Sequence, residues 1–181
     1  MIRLATMGDL PAIAAIYTAI NDEEEAGRMT VGWIRGVYPT ADTAREAIEA
    51  GELFVLETGG RVVASARINQ TQMPAYADVA WRYPAKAAQV MVLHTLTVDP
   101  AAAGKGFARQ FLAFYEAYAL ERGCPCLRID TNEKNAVARR MYARHGYIES
   151  GVIPTVFNGI PDVNLVCMEK MLGASAEEKQ L

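Results

Sequence analysis

The 181-residue sequence has few of the residues that build metal sites and disulfide frameworks. It contains two histidines and three cysteines, Cys124, Cys126 and Cys167. An odd and sparse cysteine count argues against a disulfide framework. The single residue between Cys124 and Cys126 is not a zinc-knuckle spacing, and two histidines make a structural zinc site improbable. We therefore expect reduced, half-buried thiols and no bound metal.

An excess of positive charge and long apolar runs are also absent. The net charge is −3 and no run of five or more lysines and arginines occurs, which makes nucleic acid a poor candidate partner. No apolar stretch approaches the roughly 18 residues that a membrane-spanning helix needs. The N-terminus, Met1–Thr6, lacks the apolar region of a signal peptide. We expect a cytoplasmic protein that binds neither nucleic acid nor membrane.

The remaining composition is that of an ordinary globular protein. Hydrophobic residues make up 51% of the chain and charged residues 22%. Such a chain is long enough to bury one core of its own. We predict a single domain over residues 1–173 and a frayed, charged tail over residues 174–181.

Hydrophobic periodicity and turn residues predict the order of the secondary structure elements. The predicted strands cover residues 2–5, 53–57, 61–68, 90–98, 127–130, 147–152 and 163–171. The predicted helices cover residues 9–20, two short segments between 30 and 51 that are separated at Tyr38-Pro39-Thr40, residues 104–122 and residues 135–144. Gly59-Gly60 indicates a hairpin. The strand–helix–strand order after residue 90 requires one parallel step, so we predict a mixed α/β sheet.

Residues 69–88 show no clear period, although they carry Tyr76, Trp81 and Tyr83. Loops of this length in a compact domain tend to be functional or disordered. The aromatic residues favour an ordered loop that covers part of the core. A role in lining the substrate site is the alternative.

A loop of small residues, Asp99–Gly106, lies between a predicted strand and a predicted helix. The first N–H groups of a helix lack intrahelical partners and carry partial positive charge. Glycine and alanine let an anion approach that backbone closely, so the loop is typical of a phosphate or pyrophosphate site. The sequence matches neither the P-loop nor the Rossmann pattern. Taken alone, the loop could also be a plain strand-to-helix turn.

This loop and a later helix together resemble the GNAT superfamily of N-acetyltransferases. Members of that family carry a loop of the form Gln/Arg-x-x-Gly-x-Gly/Ala between the fourth strand and the third helix. Residues 101–106 match both glycine positions, and Ala101 stands where the family has Gln or Arg. Residues 135–147 look like the family's Asn…Tyr…Gly-Phe/Tyr helix, and residues 3–9 look like its usual start. The resemblance covers most of the chain.

The resemblance implies a fold and a cofactor. The fold is a mixed α/β (α+β) architecture whose central sheet is mostly antiparallel, with about seven strands, a parallel step between the fourth and fifth strands, and about four helices. The cofactor is acetyl-CoA. Its pantetheine arm would pair with the backbone of the fourth strand and bind Asn135, and its phosphates would contact the loop and nearby basic side chains such as Arg109. The expected cofactor-binding residues are Leu96, Thr97, Val98, Ala103, Gly104, Lys105, Gly106, Phe107, Ala108, Asn135 and Arg139.

Two side chains are the predicted catalytic residues. On the family resemblance, Tyr142 directs its hydroxyl at the cofactor sulfur, where a phenol can donate a proton to the leaving thiolate. Asn135 lies seven residues earlier, two helical turns away on the same face. His94 is the residue of its strand that titrates near neutral pH, and we predict it as the base. Asp130 and water are the alternatives for the base, and a buried aromatic is the alternative for Tyr142.

We predict an enzyme that transfers an acetyl group from acetyl-CoA to a primary amine by direct attack. No cysteine lies in a motif that would activate it as a nucleophile, so an acyl-enzyme is not expected. A non-catalytic acyl-CoA-binding or sensor domain is the alternative. The acceptor could be a small-molecule or a protein amine, and a homodimer is also possible. The acceptor pocket is expected at residues 23–33, 76–83 and 156–164. The acidic run Asp22–Glu25 could attract a cationic amine, although such runs are usually solvated helix surface.

Overall fold

A mixed sheet of seven strands runs through the computed structural model, which describes residues 1–173. The strands are β1 (Ile2–Leu4), β2 (Leu53–Thr58), β3 (Arg61–Asn69), β4 (Val90–Val98), β5 (Cys126–Asn132), β6 (Ile148–Phe157) and β7 (Ile160–Met171). Their order is β1-β2-β3-β4-β5-β7-β6, and every neighbouring pair is antiparallel except β4 and β5. The predicted sheet, with its parallel step, is confirmed. The tail predicted at residues 174–181 lies outside the described residues.

Four α-helices occur within residues 1–173, the number that the family resemblance implies. They are α1 (Leu10–Glu25), α2 (Ala41–Glu49), α3 (Phe107–Glu121) and α4 (Ala136–Arg144). Pro11 lies in the first turn of α1, where a missing N–H group is tolerated. Thr40 caps α2 by accepting a hydrogen bond from the amide of Thr43. Among the described residues, no helix is both long and apolar enough to cross a membrane.

Two short helices were predicted between residues 30 and 51, and the prediction of the first one is wrong. Residues 28–38 form an irregular segment that contains an isolated β-bridge instead of helical turns. Gly32 and Gly36 have φ angles of +79° and +75°, and a right-handed helix requires negative φ. The two glycines therefore direct this segment away from helix. We call residues 28–38 the strap.

The last two strands are longer than predicted. Pro154 lies within β6 and has no N–H group for a ladder, which argues against a strand at the sequence level. The structure accommodates it because β6 is the edge strand of the sheet. Asn158 and Gly159 both have positive φ, and they form the tight turn into β7. The resulting hairpin brings Phe157 towards the strap.

Apolar side chains cover both faces of the sheet. On one face, α3 contributes Phe111, Leu112 and Tyr115, all fully buried. On the other face, Tyr76 and Val79 of the long loop are buried against strands β4, β5 and β7. The prediction that the aromatic loop covers core is confirmed. The two clusters, one beneath α3 and one beneath this loop, flank the gap described next.

Strands β4 and β5 pair along only part of their length. The parallel ladder extends along β4 from Val90 to Leu93. Near its end, the Tyr115 hydroxyl bridges the two strands, because it lies 2.6 Å from the carbonyl oxygen of Met91 and 3.1 Å from that of Arg128. Beyond Leu93, the edge of β4 that faces β5 has no strand partner within the described residues. A gap therefore opens between the two strands.

An irregularity in β4 marks the start of this gap. The register between β3 and β4 shifts between Ser65 and Arg67, and Thr95 has a φ of +52°. A β-branched residue seldom adopts that conformation, and such bulges bend a strand and re-aim its side chains. The bulge lies where β4 loses its pairing with β5, so it places the unpaired half of β4 at the edge of an open cleft.

Candidate functional site

A cleft of about 890 Å³ occupies the gap between β4 and β5. Its walls are the second half of β4, the loop that follows it, the first turns of α3 and α4, part of the strap and the β6–β7 hairpin. Many of the predicted site residues line it. These are Leu96, Thr97, Val98, Ala103, Gly104, Gly106, Phe107, Ala108, Asn135 and Tyr142. The structure thus brings together segments that are far apart in the sequence.

A group of free amides forms one end of the cleft. Within the part of the chain that the structure describes, the backbone N–H groups from Gly104 to Ala108 have no hydrogen-bond acceptor. They lie at the N-terminus of α3, where the helix dipole adds partial positive charge. Gly104 and Gly106 both have a φ of +78°, and open space surrounds both Cα atoms. Glycine is therefore needed there for the backbone conformation. We call residues 104–108 the amide cluster.

The unpaired half of β4 forms the wall next to the amide cluster. Thr97 is buried, and its hydroxyl lies 3.2 Å from the carbonyl oxygen and 2.7 Å from the hydroxyl oxygen of Ser65 in β3. These bonds hold β4 to β3 on one side. The opposite edge at Leu96 and Val98 lacks a strand partner among the described residues. An extended ligand with amide groups can pair with such an edge.

Tyr142 and Asn135 lie on the α4 side of the cleft. Tyr142 is 6% exposed, and its hydroxyl makes no hydrogen bond to another described residue. Burial raises the pKa of this phenol, and the negative charge of Asp130 raises it further, so the phenol stays protonated. Asn135 caps α4, because its side-chain oxygen accepts from the amide of Ala138 at 3.0 Å. The side-chain NH2 group of Asn135 keeps its donors for a ligand.

Asp130 lies in the cleft wall where the two strands separate. It follows Ile129, the last residue of β5 that pairs with β4. Its carboxylate accepts a hydrogen bond of 2.7 Å from the hydroxyl of Tyr76. Burial raises the pKa of Asp130 to about 6, and the bond from Tyr76 partly offsets that rise. This carboxyl group can exchange a proton near neutral pH.

His94, the predicted base, lies elsewhere. It is not among the described residues that line the cleft. Its Nε2 atom lies 3.0 Å from the side-chain oxygen of Asn69 and 3.1 Å from the carbonyl oxygen of Thr71. Burial, together with the charge of Arg67, lowers the pKa of His94 to about 4. The imidazole is held away from the gap, so this geometry does not support a role as base.

Two of the predicted cationic contacts also point away from the cleft. Arg139 forms two hydrogen bonds to the carboxylate of Glu149, at 2.8 and 2.9 Å. Lys105 lines a small hollow beside Asp99 on the outer side of the loop. The described basic residues that do line the cleft are Arg109, Lys134 and Arg144. Helical spacing alone could not distinguish these residues from Arg139, because Arg109, Arg139 and Arg144 all occupy the first or last turn of α3 or α4, and Lys134 lies just before α4.

The acidic run at the end of α1 anchors the strap. Glu23 pairs with Arg28 at 2.6 Å. Glu24 accepts hydrogen bonds from the backbone amides of Val31 and Gly32, at 2.5 and 3.0 Å. Arg35 pairs with both Asp22 and Glu25, at 2.5 and 2.8 Å. The side chains of Asp22 and Glu25 are 60% and 58% exposed, so the run is solvated helix surface, as the sequence favoured, and it also binds the strap.

The strap contacts both strands that border the gap. The hydroxyl of Tyr38 forms a hydrogen bond with that of Thr95 in β4. Gly32 lies so close to the side chain of Asn132 in β5 that an added Cβ atom would collide with it. Tyr38 and neighbouring strap residues line the cleft. The predicted acceptor segments 23–33 and 156–164 both contribute to this lining, residues 76–83 do not, and Tyr38 was not predicted.

Comparisons with known proteins agree on one family. The profile of the acetyltransferase (GNAT) family matches residues 14–147. The chain is 31% identical over 148 residues to a protein of Bacillus subtilis named as uncharacterized N-acetyltransferase YhfO, and the match covers 82% of this chain and 89% of that protein.

Solved structures share the fold. A ribosomal-protein-alanine N-acetyltransferase from Brucella melitensis superposes with a TM-score of 0.69 at 25% identity, over 95% of this chain and 99% of that one. The structure of yncA from Salmonella typhimurium, solved with its cofactor acetyl-CoA, superposes with a TM-score of 0.68 at 22% identity, over 97% of this chain and 95% of that one.

Proposed function

Because this chain belongs to the acetyltransferase (GNAT) family and is an N-acetyltransferase, we propose that it transfers the acetyl group of acetyl-CoA to a primary amine by direct attack. One observation carries the proposal: a single cleft is lined both by the amide cluster and by Tyr142, whose hydroxyl has no hydrogen-bond partner among the described residues. An anion site and a proton donor placed in this way suit a long anionic thioester.

The residues of the cleft fit acetyl-CoA along its length. The amide cluster would hold the pyrophosphate, with Arg109, Lys134 and Arg144 available for the remaining phosphate charge. The free edge of β4 at Leu96 and Val98 would pair with the pantetheine amides, and the side-chain NH2 group of Asn135 would donate to the same arm. The side chains of Lys105 and Arg139 have no part in this proposal, since neither residue is among those that line the cleft.

Acetyl-CoA supplies a thioester that an amine can attack and a thiolate that can leave. The protein supplies the two proton transfers. Asp130 is ionised above its raised pKa of about 6, so it can attract the ammonium form of the acceptor and take a proton from its nitrogen. Tyr142 stays protonated, so it can donate its proton to the leaving sulfur. We therefore assign the base to Asp130, one of the alternatives that the sequence left open, in preference to His94.

Release of free thiol from acetyl-CoA tests this function. The measurement compares the rate of release without an acceptor and with a panel of primary amines, alongside the acetyl-CoA affinity from calorimetry. We expect at least one amine to raise the rate well above background. Tight binding of acetyl-CoA with no amine-dependent release would instead support the sensor domain.

A further inference from the structure

We propose that the acceptor is a primary amine carried on an aromatic or branched apolar body, with no carboxylate beside the amine. This inference rests on the proposed acetyl transfer. It concerns the part of the cleft opposite the amide cluster, which we call the acceptor chamber. Its lining consists of Trp33, Tyr38, Asp130, Phe157, Val163 and Leu165.

The acceptor chamber and the amide cluster lie on opposite faces of the sheet. Tyr142 belongs to the core cluster beneath α3. Leu165 belongs to the cluster on the other face, and Tyr38 packs against it. Asp130 is the register partner of Cys167 in that second cluster, and directly opposite residues of an antiparallel pair share a face. Donor and acceptor would thus reach the gap from opposite sides and meet at Asp130.

Aromatic rings form a continuous wall of the acceptor chamber. The rings of Tyr38 and Phe157 are 5.5 Å apart between centroids, at an angle of 87°. Those of Trp33 and Tyr38 are 6.3 Å apart, at 89°. Edge-to-face contacts of this kind fix the rings against one another. Val163 and Leu165 of β7 add aliphatic surface to the same chamber, so most of an acceptor's body would contact apolar groups.

Asp130 is the unpaired charge of the acceptor chamber. At the outer edge of the cleft, Glu23 and Arg28 form two mutual hydrogen bonds, at 2.6 and 2.7 Å, and the Arg28 side chain is 63% exposed. Arg109 and Arg144 belong to α3 and α4, which pack on the same face of the sheet as the amide cluster, and Lys134 belongs to the turn between β5 and α4. Among the described residues that line the chamber, none is an unpaired cation. An ammonium group therefore has a partner there and a carboxylate has none.

This arrangement discriminates against amino acids and against longer peptides. A carboxylate next to the amine would lie beside Asp130, and like charges in a half-buried site repel strongly. A peptide chain would place amide groups against the aromatic wall, where they would lack hydrogen-bond partners. A polyamine would need a second free carboxylate, and Glu23 is already paired with Arg28. An amine with an apolar body avoids all three costs.

Thiol release with matched amines tests the inference. The panel is 2-phenylethylamine, L-phenylalanine, ethylamine, spermidine and a short alanine-initiated peptide. We expect kcat/KM for 2-phenylethylamine to exceed that for L-phenylalanine by at least about 100-fold, and that for ethylamine by about 10-fold or more. Equal or faster reaction with L-phenylalanine, spermidine or the peptide would overturn the inference and leave acetyl transfer intact.

Variants of the aromatic wall provide a second readout. Trp33→Ala and Phe157→Ala should each raise the KM for 2-phenylethylamine by about 10-fold, while a matched change at the exposed β6 residue Val152, to alanine, should leave it unchanged. If no amine raises thiol release, the proposed function fails. In that case, calorimetry of 2-phenylethylamine and L-phenylalanine with coenzyme A present still decides the inference, and equal affinity for the two would contradict it.

Discussion

The hydroxyl of Tyr76 donates a 2.7 Å hydrogen bond to the carboxylate of Asp130. Tyr76 belongs to the long loop between β3 and β4, and it is buried in the core cluster beneath that loop. Trp81 packs edge-to-face against it, at 5.1 Å between ring centroids. The loop that covers this face of the sheet thereby also fixes the orientation and the acidity of the proposed base.

Removal of this bond should shift the pH dependence of the reaction. The bond lowers the pKa of Asp130, so Tyr76→Phe should raise it further above its present value of about 6. A base with a higher pKa is protonated to a larger extent at pH 6. For the Tyr76→Phe variant, kcat/KM at pH 6 should therefore be roughly 3- to 10-fold lower than at pH 8, as expected for the loss of one hydrogen bond to a charged group. The pH profile of kcat/KM measures this change. Tyr83→Phe, on the same loop, is the control. If the acid limb of the Tyr76→Phe profile does not shift, Asp130 is not the base.

Loss of the Tyr142 hydroxyl should slow the reaction and leave binding nearly intact. Tyr142→Phe removes the proposed proton donor, and we expect kcat to fall by about 100-fold, with the acetyl-CoA Kd changed by less than about twofold. The hydroxyl has no partner among the described residues, so the fold should keep its stability. Steady-state kinetics and calorimetry measure both quantities.

Tyr147→Phe is the matched control for that experiment. The ring of Tyr147 lies 6.0 Å from that of Tyr142 between centroids, and its buried hydroxyl makes no hydrogen bond within residues 1–173. It is not among the described residues that line the cleft. Removal of the Tyr147 hydroxyl should leave kcat unchanged. A Tyr142→Phe enzyme with full kcat would remove Tyr142 from the mechanism.

A negative charge in the amide cluster should prevent binding of acetyl-CoA. Gly104→Glu adds a carboxylate where the pyrophosphate would lie, and it also places a side chain at positive φ. We expect the Kd to rise by at least about 100-fold. Gly59→Glu has the same backbone requirement in the β2–β3 turn, with a φ of +57° and open space around it, so it isolates the effect of strain. Equal Kd values for the two variants would place the pyrophosphate elsewhere.

His94 should affect stability more than catalysis. Its native pKa is about 4, against 6.5 for the free side chain, so the unfolded chain binds the proton more readily. The wild type therefore loses stability as the pH falls from 6.5 towards 4, and His94→Gln lacks this loss. Between pH 7.5 and pH 5 the variant should gain roughly 2 kcal/mol relative to the wild type. Urea unfolding at the two pH values measures the difference.

The kinetics of the same variant distinguish the two candidate bases. At pH 7.5, His94→Gln should keep kcat/KM within about threefold of the wild type, whereas Asp130→Asn should lower it by about 100-fold. The asparagine can still accept the hydrogen bond from Tyr76, which favours an intact fold. The reverse order of effects would restore His94 as the base.

Local patterns predicted the elements on which the cleft is built. The apolar run of β4, the small-residue loop after it and the aromatic stripe of α3 each carry a short-range signal, and each element formed where it was expected. The strap illustrates the limit of such signals. Two glycines at positive φ and ion pairs with the neighbouring helix α1 direct its course. The contacts of Tyr38 with Thr95 and of Gly32 with Asn132 join it to residues that are distant in the sequence, and no local pattern predicts them.

The choice of base depended on tertiary structure. His94 and Asp130 both lie on neighbouring strands, and side-chain alternation does not show which one faces a cleft. The bulge at Thr95 and the end of the β4–β5 ladder at Leu93 decide it, because they open the gap beside Asp130. Burial then changes the pKa of each group in opposite directions. Neither effect is encoded in a local pattern.

The hydroxyl of Tyr115 in α3 bridges the carbonyl oxygens of Met91 and Arg128. This bridge fixes the distance between β4 and β5 at the start of the gap, and it does so from the side of the acetyl donor. The aromatic wall on the other side belongs to the strap and to the β6–β7 hairpin. Substitutions in that wall can therefore retune acceptor preference by directed evolution, while the thioester half of the enzyme retains its geometry.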